Sequence, residues 1–279
     1  GLTPSKIKAQ DNQIRNIDGR ANIIPTAVPF LAITPDSRGG GLGDAGIANR
    51  PDANTIHYNP SRLAFMEDDF GGSLTYTPWL RNLVPDISLS YLSGYYKIDR
   101  FSGAGMSMRY FSLGDIQFTN INGEELQEFR PYEFSVDAAY ARKLSDNFSV
   151  GLALRYIHSN LAGNTTLSNG VQTKPGNAVA GDISVYYTKE NLTWFGQKFD
   201  FGVGANIRNI GSKITYTDET ERNFLPMNLG IGTYFNYHID EYNEIALLID
   251  FNKLLVPTPP VYDSDSITSD GDFLILSGQ

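Results

Sequence analysis

The sequence predicts an all-β protein, a transmembrane antiparallel β-barrel with an N-terminal plug or hatch. Three observations predict this class. From Phe70 onward, nine segments alternate apolar and polar residues with a period of two, which is typical of strands with one apolar face. The apolar faces of the clearest segments begin and end with aromatic residues, and the connections between segments alternate between short and long. The 16 Tyr, 16 Phe and 27 Gly suit strands of this kind.

Three parts follow each other along the chain. Residues 1–24 show no sustained period, and we expect a flexible lead-in without a function of its own. Residues 25–69 are rich in Gly, Pro and Asp, and we expect them to form the hatch. Residues 70–279 form the predicted barrel.

The nine predicted strands share a length of about 8–13 residues, close to the 9–11 that a tilted strand needs to cross a bilayer. In one of them, Phe199, Phe201 and Val203 alternate with Asp200, Gly202 and Gly204. The predicted ranges are 70–77, 86–97, 101–113, 131–142, 147–157, 178–188, 199–210, 227–238 and 243–252.

The connections favour a membrane barrel over a soluble sandwich, because alternation alone fits both. Short links lie near Asp99, at 143–147 and at 239–242, whereas residues 114–130 and 158–177 are long links. The link 189–198 is intermediate in length. Tight periplasmic turns and long external loops produce this pattern in outer-membrane barrels.

Strand parity leads to a further expectation. If the hatch is periplasmic, the ninth strand runs outward, and an open sheet edge in lipid is costly because its backbone groups are unpaired. We therefore expect further C-terminal strands, so that the barrel is incomplete here. Residues 253–279 are predicted to be an external loop; its acidic part, 263–272, fits a solvated loop better than a calcium site.

The Gly-rich stretch contains Gly41-Leu-Gly-Asp-Ala-Gly46, which satisfies G-x-G-x-x-G. A nucleotide site needs a strand running directly into the first Gly, but residues 34–38 contain Pro35 and no strand pattern. We interpret the stretch as a compact turn packed in or below the barrel. The predicted hatch-stabilising residues are Asp36, Arg38, Gly40, Gly43, Asp44, Asn59 and Pro60. Arg38 in particular is expected to lie buried against carboxylates of the lumen or its periplasmic rim.

Charged residues on the polar strand faces would converge inside a barrel. The predicted lumen network consists of Arg109, Asp137, Arg155, Asp182, Asp200, Arg208 and Asp250. It either fills the interior and fixes the hatch or lines a solute pathway. Tyr186, Tyr234 and Leu248 share this face, so part of the lumen could accept apolar material.

Composition argues against several other functions. A net charge of -9 disfavours nucleic acid as a partner, and the chain contains no Cys for thiolate or disulfide chemistry. No G-x-S-x-G motif is present, and the three histidines, His57, His158 and His238, lie far apart in sequence. We expect no enzyme activity, no metal site and no cofactor.

The hatch sequence resembles a known family. Phe30-Leu-x-Ile-x-Pro-Asp-x-Arg-x-Gly-Gly-x-Gly-Asp-x-Gly-x-Ala, followed by Asp52-x-Asn54 and Asn59-Pro60, resembles the PorV family of outer-membrane barrels in the type IX secretion system of Bacteroidetes. The Arg, Gly-rich and Asn-Pro pattern is more distantly similar to FadL-like transporters of hydrophobic compounds. The resemblance implies fourteen strands in full, of which about nine are present here.

The resemblance also implies a function. Such proteins are integral to the bacterial outer membrane, with the hatch on the periplasmic side and the long loops outside. They bind the C-terminal signal domains of cargo at external loops, collect cargo from a large translocon barrel and deliver it to a sortase-like complex that attaches it to lipopolysaccharide. The implied contact regions are residues 114–130, 158–177, 211–225 and 253–279. A FadL-type transporter is the alternative; a lipopolysaccharide deacylase would need a Ser or Asp close to a His on one rim.

Overall fold

The computed structural model describes residues 25–79, 86–119, 125–166, 171–194, 197–217, 222–240, 242–257, 261–267 and 273–277. The predicted lead-in, residues 1–24, lies outside them. The chain divides into two compact units, residues 26–255 and a second unit of residues 1–25 and 256–279.

The described chain contains thirteen strands, nine of which correspond to the predicted set. The strands are β1 (Phe70–Pro78), β2 (Ile87–Lys97), β3 (Ser102–Leu113), β4 (Ile116–Thr119), β5 (Glu125–Phe129), β6 (Tyr132–Ser145), β7 (Phe148–Asn160), β8 (Gly176–Trp194), β9 (Gln197–Gly211), β10 (Asn228–His238), β11 (Glu244–Leu254), β12 (Val261–Ile267) and β13 (Phe273–Ser277).

A single antiparallel sheet joins the nine predicted strands in the order β1-β2-β3-β6-β7-β8-β9-β10-β11. Each strand pairs with its neighbour along the chain, apart from the β4–β5 excursion, as in an up-and-down barrel. The predicted antiparallel β class is confirmed, in the form of a nine-stranded half-barrel sheet. None of the helices among the described residues is long and apolar enough to cross a membrane.

The connections alternate in length along the sheet. Short links at 98–101, 146–147, 195–196 and 239–243 lie at one end, which we call the turn end. Longer links at 79–86, 114–131, 161–175 and 212–227 lie at the other, the loop end. The link predicted to be intermediate is only two residues long because β8 and β9 continue towards each other. A β-bulge accommodates this extension at Asn191, whose φ is 54°.

Two predicted loops contain strands instead. In the link 114–131, β4 pairs with β5; in the predicted external loop 253–279, β12 pairs with β13 within the second unit. Residues 268–272 of the acidic stretch lie outside the described part of the chain. In the sequence, the apolar and aromatic residues at 261–262 and 273–276 lie on either side of mostly polar residues, which is a hairpin pattern.

The two faces of the sheet have opposite polarity. The outer face exposes apolar side chains such as Leu74, Leu154 and Phe251, with Leu154 68% exposed. Aromatic rings line it towards the loop end, at Tyr110, Tyr132, Phe134 and Tyr156. A contiguous apolar surface bounded by aromatic residues is typical of a sheet that faces lipid.

The inner face carries the polar residues and is covered by residues 26–69, which we call the inner segment. It contains a 3-10 helix at Pro29–Ala32, α1 (Ser37–Gly41), α2 (Thr55–Tyr58) and a second 3-10 helix at Pro60–Phe65. Asp36 caps α1 by accepting a hydrogen bond from the Gly39 amide at 2.8 Å. Asn59 caps the second 3-10 helix by accepting from the Ser61 amide at 3.1 Å. The inner segment is the region that the sequence predicts as the hatch; that role stays a prediction.

Candidate functional site

The inner segment crosses the inner face from the loop end to the turn end. At the loop end, Val28, Phe30 and Leu31 pack with Leu89, Phe111, Ile157, Ile214 and Leu225. At the other end, Phe65 and Met66 border a polar cavity of about 780 Å³ that also includes Lys143 and Asn147, next to the turn 146–147. The segment therefore reaches from the loop end to the turn end of the inner face.

The prediction that Arg38 is buried against lumen or rim carboxylates is wrong. Its side chain is 48% exposed and pairs at 2.6 Å with Asp52, a residue of the inner segment itself. The buried arginine is Arg62, which is 1% exposed and donates to the backbone carbonyls of Gly46 and Arg50. Arg38 lies on the short helix α1, whereas Arg62 lies on the 3-10 helix that packs against β6 and β7.

This placement predicts a small effect for Arg38. We expect Arg38→Ala to lower the free energy of unfolding by less than about 1 kcal/mol, because an exposed ion pair gains little over its hydrated state. Urea titration of the detergent-solubilised protein measures this change in the free energy of unfolding. Unfolding is detected as the loss of the faster-migrating band that the folded protein gives on an unheated gel. A loss of several kcal/mol would show that Arg38 holds the segment after all.

Of the other residues predicted to stabilise the hatch, Asp36, Asn59 and Pro60 are buried in contacts within the inner segment or with the sheet, whereas Gly40, Gly43 and Asp44 show no such buried contacts among the described residues. Asp36 accepts a 2.7 Å hydrogen bond from the Tyr58 hydroxyl, and Asn59 is fully buried, donating to the carbonyls of Ile47 and Val185. Pro60 is buried beside Asn59. Gly40 and Gly43 would have open space around an added Cβ, although Gly43 has a positive φ of 65°. Asp44 has no side-chain hydrogen bond to any described residue.

Two glycines missed by the sequence analysis have a clear packing role. Gly39 and Gly46 lie against the Tyr58 ring, where an added Cβ would approach ring atoms to 2.8 Å or less. The Tyr58 side chain is held between them by its bond to Asp36. Burial raises the pKa of Tyr58, so the hydroxyl keeps the proton that it donates.

The predicted polar residues of the inner face do come together. Arg155 forms ion pairs with Asp137 and, at 3.1 Å, with Asp182, and all three side chains are buried. Asp137 and Arg155 are direct partners in the β6–β7 register. A β-bulge in β9 places Asn209, with a φ of 60°, opposite Asp182, where its amide donates to that carboxylate at 2.7 Å.

Carboxylates of β9 and β11 hold the inner segment directly. Asp250 accepts hydrogen bonds from the amides of Gly46 and Ile47 at 2.7 and 3.0 Å. Asp200 accepts from Arg50 at 2.8 Å, and Glu244 pairs with the same arginine at 3.3 Å. Charged residues of the predicted network thus bind the segment from two strands, and Arg50 is a partner that the sequence analysis did not identify.

Arginines on β3 and β9 contact α2 of the inner segment. Arg109 donates to His57 Nδ1 at 2.7 Å, and Arg208 donates to the His57 carbonyl at 3.2 Å. Neither arginine forms an ion pair with a carboxylate of the described residues. All seven predicted network residues therefore lie on the inner face in contact with the inner segment or with one another.

A row of inner-face glycines follows the path of the inner segment. Gly103, Gly105, Gly151 and Gly204 lie on β3, β7 and β9, and an added Cβ on each would collide with the segment. At Gly151 the collision is with the backbone of Pro60 and Ser61. These glycines allow two backbones to approach more closely than side chains would permit.

The inner face does not present an open apolar pocket among the described residues. The apolar region at the loop end is filled by Val28, Phe30 and Leu31 of the inner segment. Beside it, a cavity of about 210 Å³ has mixed walls that include Asp44, Arg208, Asn228 and Asp250. Tyr186 and Tyr234 are buried on this face and pack with Ala48, so they contact the inner segment as well.

The three histidines lie in three different environments. His57 is on the inner segment, His158 is on the outer face of β7 beside Asn177, and His238 is at the turn end. His238 lies 2.9 Å from Asp200, but that carboxylate also accepts from Arg50, Asn191 and Asn236. This pair has the proximity of an Asp to a His that the deacylase alternative requires, and no hydroxyl among the described residues forms a hydrogen bond to His238.

Comparison with known proteins provides one match. A family model described as type IX secretion system protein PorV matches residues 16–261, which is most of the chain. No curated protein matches this chain significantly.

Proposed function

The chain belongs to the PorV family of type IX secretion system proteins, and we propose that within this system it carries cargo without chemically modifying it. In this proposal the protein binds the C-terminal signal domains of cargo at its loop end. It collects cargo from the large translocon barrel and delivers it to the sortase-like attachment complex, which links it to lipopolysaccharide.

Family membership makes the protein a secretion component that acts with other components of the system. An outer-membrane location fits both the family and the apolar outer face of the sheet. The long links lie together at the loop end of the sheet. We propose that the loop end is external and that the turn end is periplasmic.

The observation that carries the proposal is the occupation of the inner face. The inner segment covers it from end to end and is bonded to β3, β8, β9 and β11. Partner binding at the loop end requires no movement of this segment, whereas a solute pathway requires its removal. The same occupation argues against a FadL-type transporter, because the apolar loop end already holds Phe30 and Leu31.

Site-specific photo-crosslinking in cells tests where partners bind. We expect a photoreactive residue at Ile116, Leu161 or Phe224, all exposed on long links, to crosslink to cargo signal domains or the translocon. Tyr242, which is 88% exposed in a short link, is the matched control and should not crosslink to cargo. Crosslinks to cargo from Tyr242 alone, or normal anchoring of cargo in a deletion strain, would contradict the proposal.

A further inference from the structure

Arg109 connects two distant points of the inner segment to β3. One terminal nitrogen donates to the carbonyls of Phe30 and Leu31 at 2.9 and 3.0 Å, and the other donates to His57 Nδ1 at 2.7 Å. A guanidinium can only donate, so Nδ1 must accept and the imidazole is neutral with its proton on Nε2. His57 is 5% exposed, so water cannot easily replace this partner.

The surroundings of His57 disfavour a second positive charge. Burial, together with Arg109, Arg208 and Arg155, holds its pKa well below the ordinary value. The carboxylates Asp137 and Asp182 are already paired with Arg155. The titratable and charged groups that interact with α2 or with the arginines beside it are Tyr91 of β2, Arg109 of β3, Asp137 of β6, Arg155 of β7, Asp182 of β8, Arg208 of β9, Asp250 of β11, and Asp36, Asp52, Tyr58 and Arg62 of the inner segment.

A strained residue lies two positions before Phe30, the first residue that Arg109 binds. Val28, which precedes the first 3-10 helix, is buried in the left-handed region with φ 48° and ψ 52°. A β-branched residue in this region costs roughly 1–3 kcal/mol and persists only when its surroundings hold it. Loss of the Arg109 contacts would therefore favour release of residues 28–31.

We propose that His57 and Arg109 form an acid-sensitive latch that keeps the start of the inner segment seated at the loop end. Protonation of His57 removes the acceptor and places an imidazolium against a guanidinium. The released state binds the proton more readily, so the latch is fully stable above about pH 6.5 and weakens as the pH falls below it. This inference is independent of the proposed role in secretion.

A single engineered thiol tests the latch, because the chain has no cysteine of its own. In the full-length protein, Leu31→Cys places the thiol in the buried cluster, and Leu42→Cys places a reference thiol on an exposed position of the same segment. The ratio of their maleimide labelling rates cancels the pH dependence of thiol ionisation. We expect this ratio to rise about tenfold between pH 7.5 and pH 5.5.

Two histidine variants decide the cause. His57→Gln keeps an acceptor for Arg109 but cannot titrate, so the ratio should stay constant with pH; His158→Gln, the control, should keep the tenfold rise. The latch proposal is overturned if the labelling ratio stays constant with pH in the protein that keeps both histidines. It is also overturned if the ratio still rises tenfold in His57→Gln. If His57→Gln does not fold, ¹⁵N NMR of the imidazoles decides, since a protonated Nδ1 on His57 at pH 7 would also overturn it.

Discussion

Replacing Arg155 by Met should lower the free energy of unfolding by about 3–5 kcal/mol, among the largest effects expected for a single substitution in this chain. Met fills a similar volume, but Asp137 and Asp182 would remain as two buried carboxylates without a cation. The Asn209 side chain would also lose its bond to Arg155. Urea titration of the folded protein in detergent, with the m-value checked, measures the change.

The matched control is Arg130→Met. Arg130 also pairs with a carboxylate, Asp115, through two hydrogen bonds of 2.5 and 2.6 Å, but its side chain is exposed. We expect a loss of no more than about 1 kcal/mol. Adding Asp137→Asn and Asp182→Asn to Arg155→Met should recover much of the stability, since the buried charge is then removed. Equal losses in the two single variants would mean that burial does not determine the energetics of this network.

The strands were predictable because their two faces differ so sharply. In β9, Phe199, Phe201 and Val203 alternate with Asp200, Gly202 and Gly204, so the period and the facing residues follow from the sequence alone. The bulges were not predictable, because they depend on the register between neighbouring strands. The bulge at Asn209 brings that residue to Arg155 and Asp182, and no local sequence signal indicates it.

The interior contacts were predictable by face but not by partner. Arg109, Arg155 and Arg208 could be assigned to the inner face from the alternation, yet which of them meets a carboxylate depends on strand pairing. Arg38 and Arg62 show the same limit within the inner segment. Both lie in short helices, and only the packing against β6 and β7 determines which one is buried.

The polarity of the fold explains why the inner segment is needed. The outer face is apolar, so the inner face receives the buried polar groups, which must find partners there. The inner segment supplies backbone amides for Asp250, the Arg50 side chain for Asp200, and carbonyls for Arg109. We infer that removal of the inner segment would leave these groups unpaired. The inner segment therefore stabilises the sheet as well as covering its inner face.

Gly151→Ala should separate these two roles. An added Cβ would come within 2.8 Å of the Pro60 carbonyl carbon and closer still to the Ser61 backbone, and neither can move like a flexible side chain. We expect a loss of about 1–3 kcal/mol from this overpacking. The strand ladder of β7 does not depend on the missing Cβ, so the inner segment should be displaced while the sheet persists. Trypsin cleavage after Arg62, which is buried in the native protein, reports the displacement.

Two glycine controls make this result interpretable. Gly94→Ala adds a Cβ at a sheet position where the nearest backbone atom is 3.4 Å away, and it should leave both stability and trypsin resistance nearly unchanged. Gly40→Ala adds a Cβ into open space within α1 and should stabilise the protein by up to about 1 kcal/mol, because Ala favours a helix over Gly. If Gly151→Ala behaved like these controls, the close approach of β7 to the inner segment would not hold the segment in place. If Gly40→Ala instead exposed Arg62 to trypsin, the predicted hatch-stabilising role of Gly40 would be supported. The open space around an added Cβ at Gly40 would then be contradicted.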